Sequence, residues 1–249
     1  MEPNIDAQSL KGQTVLITGA ARRLGHVMSL VIAKAGGNII IQYKNSKEQA
    51  ELLVEDVKQF GSKAWMISAD LSSEKSLQQL CEDAFSFTPV SALINNASIF
   101  RNQGFYETSS FTWQEHLQIN LTAPFLLSQS FARQIQPGIP GRIINMLDWR
   151  ALRPGADHFA YSVSKAALAS MTKSMALVLA PDIAVNAIAL GAILPPENEN
   201  PDPTILQKVP LKRWAQLSEL ENLIIYMLYS PPSLTGQIIH LDGGRHLIH

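Results

Sequence analysis

The chain has 249 residues, 46% hydrophobic and 16% charged, which is enough apolar content for one large core and excludes an intrinsically disordered protein. A net charge of −1 with no Lys/Arg block argues against nucleic acid and anionic membrane as partners. No apolar run approaches the roughly 18 residues of a membrane span, so the expected ligand is a small molecule. Cys81 is the single cysteine, which excludes an internal disulfide and a multi-cysteine metal site. With no apolar signal core after Met1, the expected compartment is the cytoplasm.

In chain order, residues 13–18 (QTVLIT) form a compact apolar run ending at Gly19. Residues 24–35 continue as an amphipathic helix closed by Gly36 and Gly37. Residues 38–43 (NIIIQY) predict a second strand, 46–60 a helix stopped by Gly61, and 63–68 (KAWMIS) a third strand. Ser72 or Ser73 can cap the next helix, which runs to about Phe87 and contains Cys81 as an ordinary helix residue. Residues 91–95 predict a fourth strand, 111–136 a long helix carrying Asn120 and Pro124, and 141–147 a fifth strand. After a helix over 158–180 come a sixth strand (182–190), a helix (218–229) and a last strand (237–241). Strands alternating with helices imply one doubly wound α/β domain with a parallel sheet of about seven strands, spanning 1–249. In such sheets ligands sit beyond the C-terminal strand ends, where Gly19, Asp70, Asn95, Asp148 and Leu190 fall. The Pro-rich segment 194–210 is expected to hold no regular structure and to act as a lid over that edge.

Three constellations carry chemistry. The turn Thr18-Gly19-Ala20-Ala21-Arg22-Arg23-Leu24-Gly25 follows a strand and opens a helix, a context in which backbone amides hold a diphosphate. Arg23 stands where a related turn carries another glycine. At the end of the second strand, Tyr43-Lys44-Asn45-Ser46 lacks the acid that binds a ribose 2′-hydroxyl. Lys44, Ser46, Lys47 and Arg22 instead favour a 2′-phosphate, hence NADPH. Asp70, before Leu71, suits either an adenine amino group or a helix cap. Finally, Tyr161 and Lys165 are i, i+4 neighbours on a helix, so an ammonium near the phenol is expected to lower a pKa normally about 10.

Taken together, TGAARRLG, Asp70-Leu71, Asn95-Asn96-Ala97-Ser98, Asn120, YSVSK and Leu241-Asp242-Gly243-Gly244 resemble the short-chain dehydrogenase/reductase family. The arginine pair, Phe100, Asp148 and the ending LDGGRHL resemble its pteridine reductases of the dihydromonapterin reductase type. That resemblance implies Tyr161 as proton donor, Lys165 as its electrostatic partner and a ribose ligand, Asp148 in place of the usual serine, and Asn120 supporting Lys165 through a helix backbone contact and water. It further implies Phe100 stacking the pterin, Ser98 and Arg23 at the ligand edge, Asn96, Ala97 and Gly191 lining the coenzyme, no metal, and a homotetramer built through helices 111–136 and 158–180. Leu190-Gly191 departs from the Pro-Gly common after the sixth strand, and Asn45 from an arginine carried by some pteridine reductases.

Asp148 separates the candidate substrates. An ionised carboxylate cannot donate to the oxygen of a ketone being reduced, whereas it accepts readily from the amino and NH groups of a pterin. The leading expectation is NADPH-dependent reduction of dihydropterins, with dihydrofolate as a side substrate. The competing readings are a ketone or 3-oxoacyl reductase of the same family, and a dinucleotide-binding sensor without turnover.

Overall fold

In the computed structural model, which describes residues 10–136, 138–194 and 204–248, seven strands form a single sheet in the order β3-β2-β1-β4-β5-β6-β7. They are Thr14–Ile17 (β1), Asn38–Tyr43 (β2), Ala64–Ser68 (β3), Ala92–Asn95 (β4), Gly141–Asp148 (β5), Ile183–Leu190 (β6) and Ile238–Leu241 (β7). Every pairing is parallel. The near-continuous apolar character of these runs follows from burial on both faces. The helices are Arg23–Lys34 (α1), Lys47–Gln59 (α2), Glu74–Phe87 (α3), Ser110–Leu117 (α4), Ala123–Gln134 (α5), Phe159–Leu179 (α6), Thr204–Gln207 (α7) and Leu217–Tyr229 (α8).

Side-chain alternation divides the strands between two cores. Val15, Ile39, Ile41 and Ile94 pack with Met28, Ile32, Leu53, Leu220 and Ile224 of α1, α2 and α8. Leu16, Ile40, Leu93 and Ile143 point the other way, onto Leu77, Leu80, Leu127 and Phe131 of α3 and α5. Each fully buried side chain of this size contributes roughly 1.5–3 kcal/mol. Cys81 lies in the second core, and burial raises its thiol pKa, so it serves as a small apolar residue. Among the described residues no helix is long and apolar enough to cross a membrane.

Two expectations are corrected. The long helix over 111–136 is interrupted by a π-helical turn, Gln118–Thr122, between α4 and α5. Pro124 has no N–H to give to the carbonyl of residue 120, and Ala123 N reaches back to Gln118 O instead. The segment 194–210 is not wholly irregular, because Thr204–Gln207 forms one helical turn in the proline-free stretch after Pro203. The rest of the expected lid, 195–203, lies outside the described residues.

Gly25 sets how closely α1 approaches the glycine turn. A Cβ there would sit 2.8 Å from Ala20 Cα and clash with the Gly19 carbonyl, both of them backbone atoms that cannot step aside. Gly25→Ala is therefore expected to cost about 1–3 kcal/mol, read as a lowered melting temperature. Melting at the wild-type temperature would show that the turn tolerates the displacement.

Candidate active site

The strand order reverses between β1 and β4, and the glycine turn stands at that point. Thr18 Oγ1 accepts from Asn96 N (2.9 Å) and Ala97 N (3.0 Å), and Asn96 Nδ2 donates to Thr18 O at 2.8 Å. The Asn96 side chain is thus part of the turn's own scaffold. Gly19, at φ +62°, donates its N–H to Gln42 Oε1 at 2.8 Å, and Gln42 Nε2 donates to Ala69 O at 2.8 Å. This buried amide ties together the ends of three strands. Its only sequence signal is one polar residue inside NIIIQY. Arg23 has φ +52°, the left-handed conformation that explains why a glycine fits this place in related turns. Arg22 and Arg23 are both exposed where α1 begins, while Leu24 packs into the core.

At the β2 edge, Tyr43 is buried and Lys44 and Asn45 are exposed; Ser46 precedes α2 without a side-chain cap. Lys44 Nζ lies 2.8 Å from Asp70 Oδ2, and this contact, with the Ser72 amide, holds the Asp70 carboxyl down to about 2. Two residues expected at different parts of a coenzyme therefore pair with each other. An exposed pair of this kind contributes no more than about 1 kcal/mol, so Lys44 can exchange it for a phosphate. Ser73 caps α3, and the Leu71 side chain is in the core, so only its backbone can line a ligand.

Tyr161 and Lys165 lie on α6, and Asp148 ends β5. Lys165 Nζ donates to Met146 O at 2.8 Å and lies 5.8 Å from the Tyr161 ring centroid. The expectation of a lowered phenol pKa is overturned. Burial and then the Asp148 charge hold Tyr161 well above its ordinary value. Spacing on the helix brings the lysine to the ring, but its ammonium is turned to the β5 carbonyl. Burial also pulls Lys165 down to about 8, opposed by Asp148. Asp148 is raised by burial, against the Arg150 amide and the charges of Arg150, Lys165 and Arg245. Asn120, in the π-helical turn, does not reach Lys165 with its side chain. Its Oδ1 accepts from Ser98 Oγ (3.1 Å) and Ile99 N (2.9 Å), and its Nδ2 donates to Ser164 Oγ at 3.1 Å. It fastens the loop after β4 to α6.

On that loop, Phe100 is 48% exposed and meets Tyr161 edge to face at 4.6 Å. Sequence reasoning missed the groups around it. Arg150 N donates to Asp148 Oδ1 (2.8 Å), Arg150 Nη2 donates to Asp157 Oδ2 (2.8 Å), and Asp157 faces His158. Arg245 crosses from the chain's end onto the Trp149 ring, 4.2 Å from its centroid. Gly191, the residue of the Leu190-Gly191 pair that keeps the common pattern, has a packing reason, since a Cβ there would lie 2.6 Å from Asp242 Cα. Asp242 locks the last turn by accepting from Gly244 N (3.0 Å), His246 N (2.8 Å) and His246 Nδ1 (2.8 Å). His240 and His246 stack at 3.8 Å with planes 22° apart. The trio thus fastens the last turn, with the two imidazoles stacked rather than splayed apart.

Residues 13–204 match the family described as short chain dehydrogenase. The chain belongs to that family. As a short chain dehydrogenase it is an oxidoreductase. The 3-oxoacyl-[acyl-carrier-protein] reductase FabG of Aquifex aeolicus (strain VF5) is 32% identical over 243 residues, covering 94% of this chain and 98% of the relative. Among solved structures, FolM alternative dihydrofolate reductase 1 from Brucella canis, complexed with NADP, is 31% identical with a TM-score of 0.89 and covers 98% of this chain and 97% of that one. A blue fluorescent protein from a metagenomic library, in complex with NADPH, is 28% identical with a TM-score of 0.88, covering 96% and 99%.

Proposed function

We propose that this short chain dehydrogenase reduces dihydropterins to tetrahydropterins with NADPH. The observation that carries the reading is Asp148, a mostly buried carboxylate whose charge acts on the Tyr161 phenol beside the half-exposed ring of Phe100. The likeness to a FolM alternative dihydrofolate reductase complexed with NADP supports it. NADPH would lie along Gly19, Arg22, Arg23 and Leu24, with its 2′-phosphate near Lys44, Asn45 and Ser46. The left-handed Gly19, closely backed by Ala97, and the cations at both ends suit that group. When bound, it supplies a hydride.

The chain's own residues manage the proton and the orientation. Tyr161 keeps its proton at neutral pH and gives it to a ring nitrogen as that nitrogen becomes basic. Lys165 favours the phenolate left behind. Asp148 accepts from the pterin's amino and NH groups, Phe100 stacks on the ring, and Arg23 and Ser98 border it. Asn120 acts by holding Ser98 and Ile99 in place.

The second reading, a 3-oxoacyl reductase, is favoured by the Aquifex relative. Loss of NADPH absorbance with dihydrobiopterin, dihydromonapterin, dihydrofolate and a 3-oxoacyl thioester decides between them. Turnover of a dihydropterin, faster with NADPH than NADH, is expected; turnover of the thioester alone would overturn the proposal. The proposed assembly is a cytoplasmic homotetramer through α4, α5 and α6, which expose Phe111, Phe125, Leu177 and Val178.

A further inference from the structure

We infer that His158 is a positioning residue that fixes Phe100 as the stacking platform of the site. The ligand class rests on the dihydropterin reading, but the positioning role does not. His158 stands immediately before α6 at φ 52° and ψ 48°, a left-handed conformation that costs an L-residue roughly 1–2 kcal/mol. Its side chain makes no helix cap, so capping does not account for the strain. What the conformation achieves is a placement. The imidazole lies 4.0 Å from the Phe100 ring with planes 20° apart, and it is only 8% exposed. Phe100 is thus backed by His158, met edge to face by Tyr161 at 4.6 Å, and still 48% exposed for a flat ligand.

The histidine borders a charged pair. Its Nδ1 lies 3.1 Å from Asp157 Oδ2 without a hydrogen bond, Asp157 Oδ2 accepts from Arg150 Nη2 at 2.8 Å, and the Arg150 guanidinium lies 5.9 Å from the Phe100 centroid. Arg150 in turn donates its backbone N–H to Asp148. A run of contacts therefore leads from Asp148 through Arg150 and Asp157 to His158, Phe100 and the edge of the Tyr161 ring. It couples the orientation of the stacking ring to that of the proton-handling pair. The imidazole pKa is lowered by burial and by the Arg150 charge, which leaves it a neutral aromatic surface at neutral pH.

His158→Gly separates placement from folding, because glycine adopts this φ freely while removing the ring. Stacking of this kind is worth about 0.5–1.5 kcal/mol, so KM for dihydrobiopterin should rise about two- to tenfold with kcat within about twofold of wild type. His158→Phe should restore KM, and a crystal structure of the glycine variant should show Phe100 displaced or disordered. If the glycine variant does not fold, His158→Asn, which also tolerates the left-handed region, takes its place. An unmoved Phe100, or a loss of kcat that His158→Phe fails to rescue, would overturn the inference. Wild-type failure on every dihydropterin would sink the substrate reading alone, leaving the crystal comparison to decide the role of His158.

Discussion

Tyr161→Phe is expected to lower turnover by about 10²- to 10⁴-fold, the usual contribution of a positioned proton donor, while NADPH affinity stays near wild type. The ring remains, so packing against Phe100 and Lys165 is retained, and only the hydroxyl is lost. The pH profile should separate the two neighbours. Tyr161 is held well above 10 and stays protonated across the working range. Lys165 sits at about 8, so its ammonium is present below that pH and lost above it. Accordingly kcat/KM of the wild type should fall as pH rises through about 8. The same depression acts on stability in the opposite direction. A lysine whose pKa is lower folded than unfolded destabilises the fold while charged, so stability should rise as pH passes from about 8 towards 10.5. Steady-state rates and thermal melts across pH read both effects. A phenylalanine variant keeping more than a tenth of the activity would mean that the proton comes from elsewhere, with Asp148 the nearest candidate.

The sheet was legible because burial on both faces leaves unbroken runs such as VLI and NIII, and glycines punctuate the ends. The break at 118–122 was not. A π turn keeps helical periodicity, and Pro124 shows its effect only through the carbonyl it leaves without a partner. The reacting pair was legible from i, i+4 spacing, yet spacing gave proximity and not electrostatics. It could not show that Lys165 turns to Met146 O and that the charge acting most strongly on the phenol is the acid of Asp148. The run of contacts through Arg150, Asp157 and His158 was invisible for another reason. It depends on one left-handed residue before α6, and although His is enriched among left-handed non-glycine residues, such residues are too uncommon for a lone His to signal one. Asn120 was found by resemblance, but its work, tying Ser98 and Ile99 to Ser164, needed the loop in three dimensions.

Asp148→Ser should convert one chemistry into another. With the carboxylate gone, Tyr161 loses the neighbouring charge that helps hold its pKa up, leaving burial, already the largest cause. The serine hydroxyl could donate to a developing alkoxide, which the carboxylate cannot do. A pterin would lose the acceptor facing its amino and NH groups, leaving those donors without a charged partner. The penalty for a lost charged hydrogen-bond partner is about 1.5–3 kcal/mol, or about ten- to a hundredfold in kcat/KM for dihydropterins. A ketone should gain over the same substitution, and the ratio of the two specificities is the decisive reading because it cancels any general loss of folded enzyme. Arg150 also limits how the variant can be read, since its N–H donates to Asp148 Oδ1 at 2.8 Å and its side chain holds Asp157. Asp148→Asn preserves that acceptor while removing the charge. If the asparagine variant reduces dihydropterins as the wild type does, the charge of Asp148 is not what selects them, and the substrate assignment loses its main physical support.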